Sequence, residues 1–294
     1  MIRLVTDSSS YLPQEFIEQY NITIVPLKVQ LGSETFTEGT GLSNREFFTR
    51  MAARVAATDD FPTTSQPSVG DFKQAYRQIL IEDSSAEILV LTVSSKLSGT
   101  HGSAKMAAAQ VPDISITVFD TLSVAMGVGL MVMTAARMIV ADKKLPNILI
   151  RLVQIRSTLP IFLTVDTLEY LKRGGRIGAA AAFLGTLLDT KPILTVEDGE
   201  IRPVGRVRGK KKAVHRLFDE LERKLPAPDQ PVQAGVMHAA AEDEAQKLGE
   251  MIQERFNVTY FFVFELGPVL GTHVGPGTIG TGFCLDDRGV VSIQ

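Results

Sequence analysis

The stretch Ile88-Leu89-Val90-Leu91-Thr92-Val93, followed by Ser94-Ser95-Lys96-Leu97-Ser98-Gly99-Thr100, is an apolar run that stops at a hydroxyl-rich turn and passes into a helical pattern over 98–110. A short unbroken apolar run fits a strand buried on both faces, and the helix after it supplies the crossover that parallel strands need. The same order of events recurs: the run 3–6 ends at Asp7-Ser8, and the run 114–119 ends at Asp120-Thr121. Residues 22–27 give a fourth strand, and helices are expected at 13–20, 43–56, 69–81 and 122–141. Pro13 opens the first of these, where its missing N–H costs nothing. Ligands of open α/β sheets bind outside the carboxyl ends of the strands, so these turns mark the functional edge. Helix capping by Asp and Ser accounts for any one of them alone. Thr63-Thr64-Ser65-Gln66-Pro67-Ser68, read as a further turn after an apolar strand, and His273-Val274-Gly275-Pro276-Gly277 add to the set. Together they make a neutral hydrogen-bonding cradle suited to an anionic head group.

With 294 residues the chain exceeds the about 100 to 200 that one core usually organises, and two domains are expected, 1–157 and 158–294. A helix over 145–157 leads into the second, with strands at 161–165, 192–196, 201–207, 233–237, 259–265 and 280–285. Helices are expected at 179–188, 211–224 and 242–256, and Asp166, with Glu169 three residues on, reads as the N-cap of another that Gly174-Gly175 ends. Asp198-Gly199 between two apolar runs signals a hairpin and makes this sheet mixed. The fold class is therefore α/β: a first domain with a parallel sheet wrapped by helices, and a second domain with a mixed sheet.

Hydrophobic residues at 45% and charged residues at 21% fit a chain that buries sizeable cores. A net charge of −3 argues against nucleic acid as a whole-surface partner. One cysteine, Cys284, forms no internal disulfide and fits a reducing compartment, with the cytoplasm as the expected location. The uncharged run between Asp120 and Arg137 is shorter than the roughly 20 residues that span a bilayer and reads as a buried helix.

Gly275-Pro276-Gly277-Thr278-Ile279-Gly280 matches a dinucleotide glycine pattern but is followed by too little chain for a crossover unit, so a nucleotide site is rejected. His101, His215, His238 and His273 have no metal-ligand spacing, and no metal site is expected. The first three read as structural. His273, in a glycine-rich turn, has backbone room to face a ligand. Ser95 as nucleophile, with His101 or His273 as base and Asp7 or Asp120 as orienter, gives an alternative reading as an acyl or ester hydrolase, although the strained Gly-x-Ser-x-Gly elbow is absent. The basic stretch of Arg202, Arg206, Arg208, Lys210, Lys211, Lys212 and Arg216 reads as a solvated helix face or as a docking patch for an acidic partner or phosphate, with Arg206 or Arg208 as the contact.

These residues resemble the DegV family of bacterial fatty-acid-binding proteins. The likeness is carried by Thr6-Asp7-Ser8-Ser9, Thr64-Ser65-Gln66-Pro67-Ser68, Ser94 to Thr100, and Asp166-Thr167-Leu168-Glu169-Tyr170-Leu171-Lys172-Arg173-Gly174-Gly175-Arg176-Ile177. Lys191-Pro192-Ile193-Leu194, Val207 to Ala213 and His273 to Gly277 continue it in the family's order. The resemblance implies a three-layer α/β/α first domain with a parallel sheet and a two-layer α/β second domain with a mixed sheet, a bound long-chain fatty acid as ligand, no cofactor and no catalytic residue. Its carboxylate would be held by Thr64, Ser95 and His273, with Ser65 beside Thr64 and Arg176 as support. It also implies presentation of the acid to a fatty acid kinase partner for acyl phosphate formation and phospholipid synthesis, with Arg208 and Arg206 as partner or phosphate contacts, and leaves room for transient membrane contact. Met126, Met131 and Met133 on the helix from Leu122 are adaptable enough to line an acyl tunnel, or belong to an ordinary buried core helix.

Overall fold

The computed structural model describes residues 1–185 and 190–286. The chain divides into two compact units, Met1–Arg156 with Asp198–Glu200, and Ser157–Glu197 with the chain from Ile201 onward.

In the first unit, β1 (Ile2–Asp7) lies at the centre of a four-stranded parallel sheet. Helix α1 (Gln14–Gln19) returns the chain to β2 (Thr23–Val25), which is shorter than the run 22–27 because Pro26 has no N–H for the ladder. Next comes a hairpin not anticipated from sequence, β3 (Lys28–Leu31) and β4 (Glu34–Thr37), turning at Gly32, whose φ is +65°. Helix α2 (Asn44–Thr58), capped by the Ser43 hydroxyl accepting the Glu46 N–H at 3.3 Å, leads to β5 (Thr63–Ser65). β5 corrects the reading of Thr63 to Ser68 as a turn after an apolar strand: it follows a helix and is itself a strand, pairing antiparallel with β3 so that Thr64 lies opposite Val29. Its small hydroxyl residues concealed it, since they carry no apolar signal. Ser68 and Asp71 then form a reciprocal capping box on α3 (Val69–Glu82).

The sheet continues with β6 (Glu87–Thr92), helix α4 (Thr100–Ala109), β7 (Ile116–Asp120), α5 (Met126–Val140) and α6 (Leu145–Thr158), in strand order β2-β1-β6-β7. Val5, Ile88 and Val90 pack with Phe72, Tyr76 and Ile79 of α3 and Ala104 and Ala107 of α4. The alternate residues Leu4, Leu89 and Leu91 take the opposite face, and α5 lies against β1 and β6. That makes three layers. Helix α5 starts later than expected because Leu122 (φ +47°) and Ala125 (φ +50°) are left-handed, which no helix accommodates. Met126, Met131 and Met133 are buried in it.

The second unit is built on β8 (Ile161–Thr164), helix α7 (Glu169–Arg173), β9 (Thr190–Glu197), β10 (Glu200–Arg208), α8 (Lys210–Glu222), β11 (Val232–Ala239), α9 (Glu242–Arg255), β12 (Val258–Glu265), α10 (Pro268–Val274) and β13 (Thr278–Leu285). Its sheet runs β10-β9-β8-β13-β11-β12, with β11 and β12 parallel, and β13 antiparallel to β11 and β8. Asp198 and Gly199, at φ +50° and +80°, make the hairpin turn that the sequence signalled. The helix expected over 179–188 is a 3₁₀ segment, Gly178–Phe183, and residues 186–188 of it lie outside the described residues. α8 and α9 bury Leu217, Leu221, Leu248 and Ile252 against Ala234, Val236, Ile279 and Phe283 of the sheet.

Phe283 is 2% exposed and meets the Phe256 ring edge-on at 6.0 Å. Phe283→Ala is expected to destabilise the protein by about 3–5 kcal/mol, read as a lower urea midpoint at unchanged slope.

Candidate ligand-binding site

The carboxyl ends of β1, β6 and β7 meet at turns braced by two carboxylates. Asp7 is fully buried and accepts the N–H of Ser9 at 3.0 Å and the N–H of Val93 at 2.8 Å. Burial pushes its carboxyl above the ordinary carboxylate value, against the hydrogen bonds from Ser9 and Val93 that favour the anion. Asp120 accepts the N–H of Ser95 at 3.2 Å and that of Leu122 at 3.1 Å. The turn between them is thus held through its main chain at both ends.

The three serines of that turn have separate fates. Ser94 donates to the Gly199 carbonyl at 2.8 Å, and its oxygen accepts the Lys96 N–H at 3.2 Å. Ser98 shares a hydrogen bond with the Thr100 hydroxyl at 2.8 Å at the start of α4. Ser95 is exposed, and its hydroxyl bonds to none of the described residues. Of the three, Ser95 alone has its hydroxyl available. No described hydrogen bond joins Ser95 to His101, whose Nδ1 lies 3.1 Å from the Thr92 hydroxyl. Asp7 and Asp120 bind backbone N–H groups, which is the work of braces and not of orienters in a charge network.

Thr64, half-buried, and Ser65, exposed, sit on the short strand β5. Gln66 follows, its amide donating to the Ser103 hydroxyl of α4 at 2.8 Å. Gly99 lies flush against that amide, so that a Cβ there would collide with it. Sequence reading missed this lock. Its signal was the paired Gln66 and Gly99 in the two hydroxyl-rich stretches.

In the second unit His273 corrects the expected glycine-rich turn, for it lies in the last turn of α10, and the glycines follow it. Gly174, at the end of α7, lies against the His273 ring so closely that a Cβ would meet Nδ1, and Gly275 (φ +73°) lies equally close to the Tyr170 ring. Arg176 donates to the Gly174 carbonyl at 2.6 Å. The His273 pKa is lowered to about 4, by burial first and then by the positive charge of Arg176. At neutral pH the ring is an uncharged donor and acceptor.

Asp166 also differs from expectation. It is not the cap of α7: the N-cap position is Leu168, which makes no side-chain cap, and the Thr167 hydroxyl before it accepts the Glu169 N–H at 3.2 Å. The Asp166 carboxylate instead pairs with Lys191 at 2.8 Å and Lys210 at 3.0 Å. Burial pushes its pKa up, but the two lysines outweigh that and hold it below the ordinary carboxylate range. Lys210 also donates to the Gly277 carbonyl, and Gly277 (φ +81°) leaves no room for a Cβ beside that carboxylate. The lysines of two family motifs therefore serve one ion-pair cluster. Arg206 is exposed, with its guanidinium over the Phe183 ring at 4.8 Å, and Arg208 is exposed at the end of β10. Among the described residues no group of three or more His, Cys, Asp or Glu could hold a metal ion. None of the described helices is long and apolar enough to cross a membrane.

The fold is that of a two-unit α/β protein with hydroxyl and imidazole groups placed at strand and helix ends. The family model described as "Uncharacterised protein, DegV family" matches residues 1–286, and the chain belongs to the DegV family. Protein DegV of Bacillus subtilis is 34% identical over 284 residues, covering 96% of this chain and 99% of that protein. The structure of a fatty-acid-binding DegV family protein from Thermus thermophilus superposes with a TM-score of 0.90 at 37% identity, covering 97% of this chain and 99% of that one. The structure of DegV of B. subtilis, described as a fatty acid binding protein, gives a TM-score of 0.85 at 33% identity, with 97% and 99% covered.

The depressed pKa of His273 has a signed consequence for stability. Unfolded imidazole takes up a proton near its ordinary pKa of 6.5, whereas the folded ring refuses it until about 4. Its contribution is complete above pH 6.5 and is lost as pH falls toward 4. His273→Gln is expected to lose less stability than the parent across that interval, measured as urea midpoints at a series of pH values.

Proposed function

We propose that this protein binds a long-chain fatty acid, its carboxylate held by Thr64, Ser95 and His273 with Ser65 and Arg176 in support. The reading rests on one observation above the others: the Ser94-Ser95 turn is fixed by Asp7 and Asp120 through its backbone, while the Ser95 hydroxyl bonds to none of the described residues. A neutral His273 gives a donor without a fixed charge. The tail supplies the affinity. Burying methylenes gains about 0.8 kcal/mol each, so a chain of roughly sixteen carbons offers on the order of 10 kcal/mol before ordering costs. Hydrogen bonds to the charged carboxylate add about 1.5–3 kcal/mol apiece. Met126, Met131 and Met133 of α5 contribute to the tunnel for the tail.

Residues 1–157 and 158–294 act as the two domains of a cytoplasmic, non-catalytic carrier. It presents the acid to a fatty acid kinase partner, which phosphorylates the carboxyl group to give an acyl phosphate for phospholipid synthesis. Arg208 and Arg206, both exposed, meet that partner or the phosphate. A head group held by hydroxyls and a neutral ring stays reactive toward another protein's chemistry, because no cation is locked onto its oxygen. The solved relatives described as fatty acid binding support the ligand class.

Native mass spectrometry of the protein purified from a bacterial host tests this directly. One equivalent of long-chain fatty acid is expected, with loss of most of it in a Thr64→Val, Ser95→Ala double variant that keeps the parental circular dichroism. A mass that stays clean after incubation with fatty acids overturns the binder. Labelling of Ser95 by an organophosphonate probe would establish the hydrolase in its place. Arg208→Glu is expected to retain the lipid and to lower acyl phosphate production with a fatty acid kinase by about tenfold or more, the scale of losing a charge-assisted contact.

A further inference from the structure

Of the hydroxyl residues at the end of β1, some are engaged and two are not. Ser8 donates to Glu38 at 2.8 Å and accepts the Leu27 N–H at 3.0 Å, and Ser9 donates to Asp7. Thr6 and Ser10 are 0% and 2% exposed, and neither side-chain oxygen has a hydrogen-bond partner. A buried hydroxyl in that state is costly, because its lost bonds to water go unreplaced.

Both residues lie on the side of α5. Val5 packs toward α3 and α4, so Thr6 takes the opposite face of the sheet, the one α5 covers. Ser10 belongs to the 3₁₀ turn Ser8–Ser10, and its carbonyl approaches Gly129 of α5 so closely that a Cβ there would collide with it.

The first turn of α5 adds donors of its own. Gly127 and Gly129 give their N–H groups to the carbonyls of Val124 and Ala125, at 3.1 and 3.0 Å, but those of Met126 and Val128 meet no acceptor among the described residues. Met126 and Val128 are 0% exposed, which keeps water from the surface away from them. The N-cap position, where a Ser or Asp oxygen would accept such groups, is Ala125, which has no side chain able to cap. A buried, uncapped helix start thus stands beside two unpartnered hydroxyls, and together they call for an oxygen.

That oxygen can come from the ligand. Met126, already assigned to the tunnel for the tail, opens the same helical turn. Thr6 lies opposite Leu91, four residues before Ser95, which at about 3.3 Å per residue puts it no more than ~13 Å along the chain from the residue assigned to the carboxylate. A plain methylene passing these groups would leave every one of them unpaired.

We propose that Thr6, Ser10 and the first turn of α5 form a subsite for an oxygen carried on the acyl chain, so that the preferred ligand is a hydroxylated long-chain fatty acid. The inference rests on the fatty-acid reading above and narrows its substrate class. A chain hydroxyl accepts from the N–H of Met126 or Val128 and donates to the oxygen of Thr6 or Ser10, which satisfies both kinds of group at once.

Native mass spectrometry of the delipidated full chain provides the test, with equimolar stearate and one monohydroxystearate at a time from a positional series. For at least one position of the hydroxyl, the parent is expected to retain the hydroxylated acid over stearate by about tenfold or more, as a site built to bond a substrate hydroxyl rejects the analogue lacking it. A Thr6→Val, Ser10→Ala double variant with the parental circular dichroism is expected to lose most of that preference. Equal uptake of stearate and every member of the series overturns the subsite and leaves buried water as the partner of these groups. A preference that survives the double variant overturns it too. Uptake of neither stearate nor any hydroxystearate overturns the fatty-acid reading itself, and the subsite with it.

Discussion

The hydrogen bond from the Val93 N–H to the buried carboxylate of Asp7 is the constraint on which the first unit's functional edge depends. A carboxylate out of water is costly, and the protein accepts that cost only where several donors converge on it. Ser9 supplies the others. The effect is to tie the end of β1 to the end of β6, so that the turn after β6 leaves the sheet in one direction. Asp120 does the same from the side of β7. Two acids in the pattern of a catalytic set thus accept backbone N–H groups, with the Ser9 hydroxyl a further donor to Asp7, and the Ser95 hydroxyl they position bonds to none of the described residues.

The second unit handles charge by a different route. Asp166 is balanced between Lys191 and Lys210, and the backbone at Gly277 closes over it. Arg176 lies close enough to His273 to help keep a proton off the ring, while its own guanidinium is tied to the Gly174 carbonyl. Contacts with no space for a Cβ, at Gly174 against His273 and at Gly275 against Tyr170, fix the spacing of α7 and α10. The glycines of these motifs are spacers set by neighbours and not phosphate-binding loops.

Much of this was legible in sequence where a local rule and the tertiary context agree. The parallel strands showed as apolar runs ending in polar turns, and Asp198-Gly199 showed as a hairpin because both residues need left-handed backbone. Legibility failed where context overrode the local signal. Asp166 has the spacing of a cap, yet two lysines distant in sequence claim its carboxylate. Thr63 to Ser65 form a strand only because β3 offers an edge, and that edge exists because Gly32-Ser33, a hairpin dipeptide, turns the chain between β3 and β4. Of the candidate site, the hydroxyl turns and His273 were visible by residue type. The helix that carries His273 was not, because Gly271 and the glycines that follow it dilute the periodic pattern of a segment as short as α10.

The Ser94 hydroxyl takes as its partner the Gly199 carbonyl, from a three-residue piece, Asp198–Glu200, that groups with the first unit although it comes after forty-one residues of the second. During synthesis the ribosome therefore delivers the first unit in two instalments. Its long segment emerges through Arg156 with Ser94 still lacking the Gly199 carbonyl, and the turn before α4 gains its last hydrogen bond only after the hairpin tip has left the exit tunnel. A nascent chain stalled before residue 198 would carry this edge without the Ser94–Gly199 hydrogen bond.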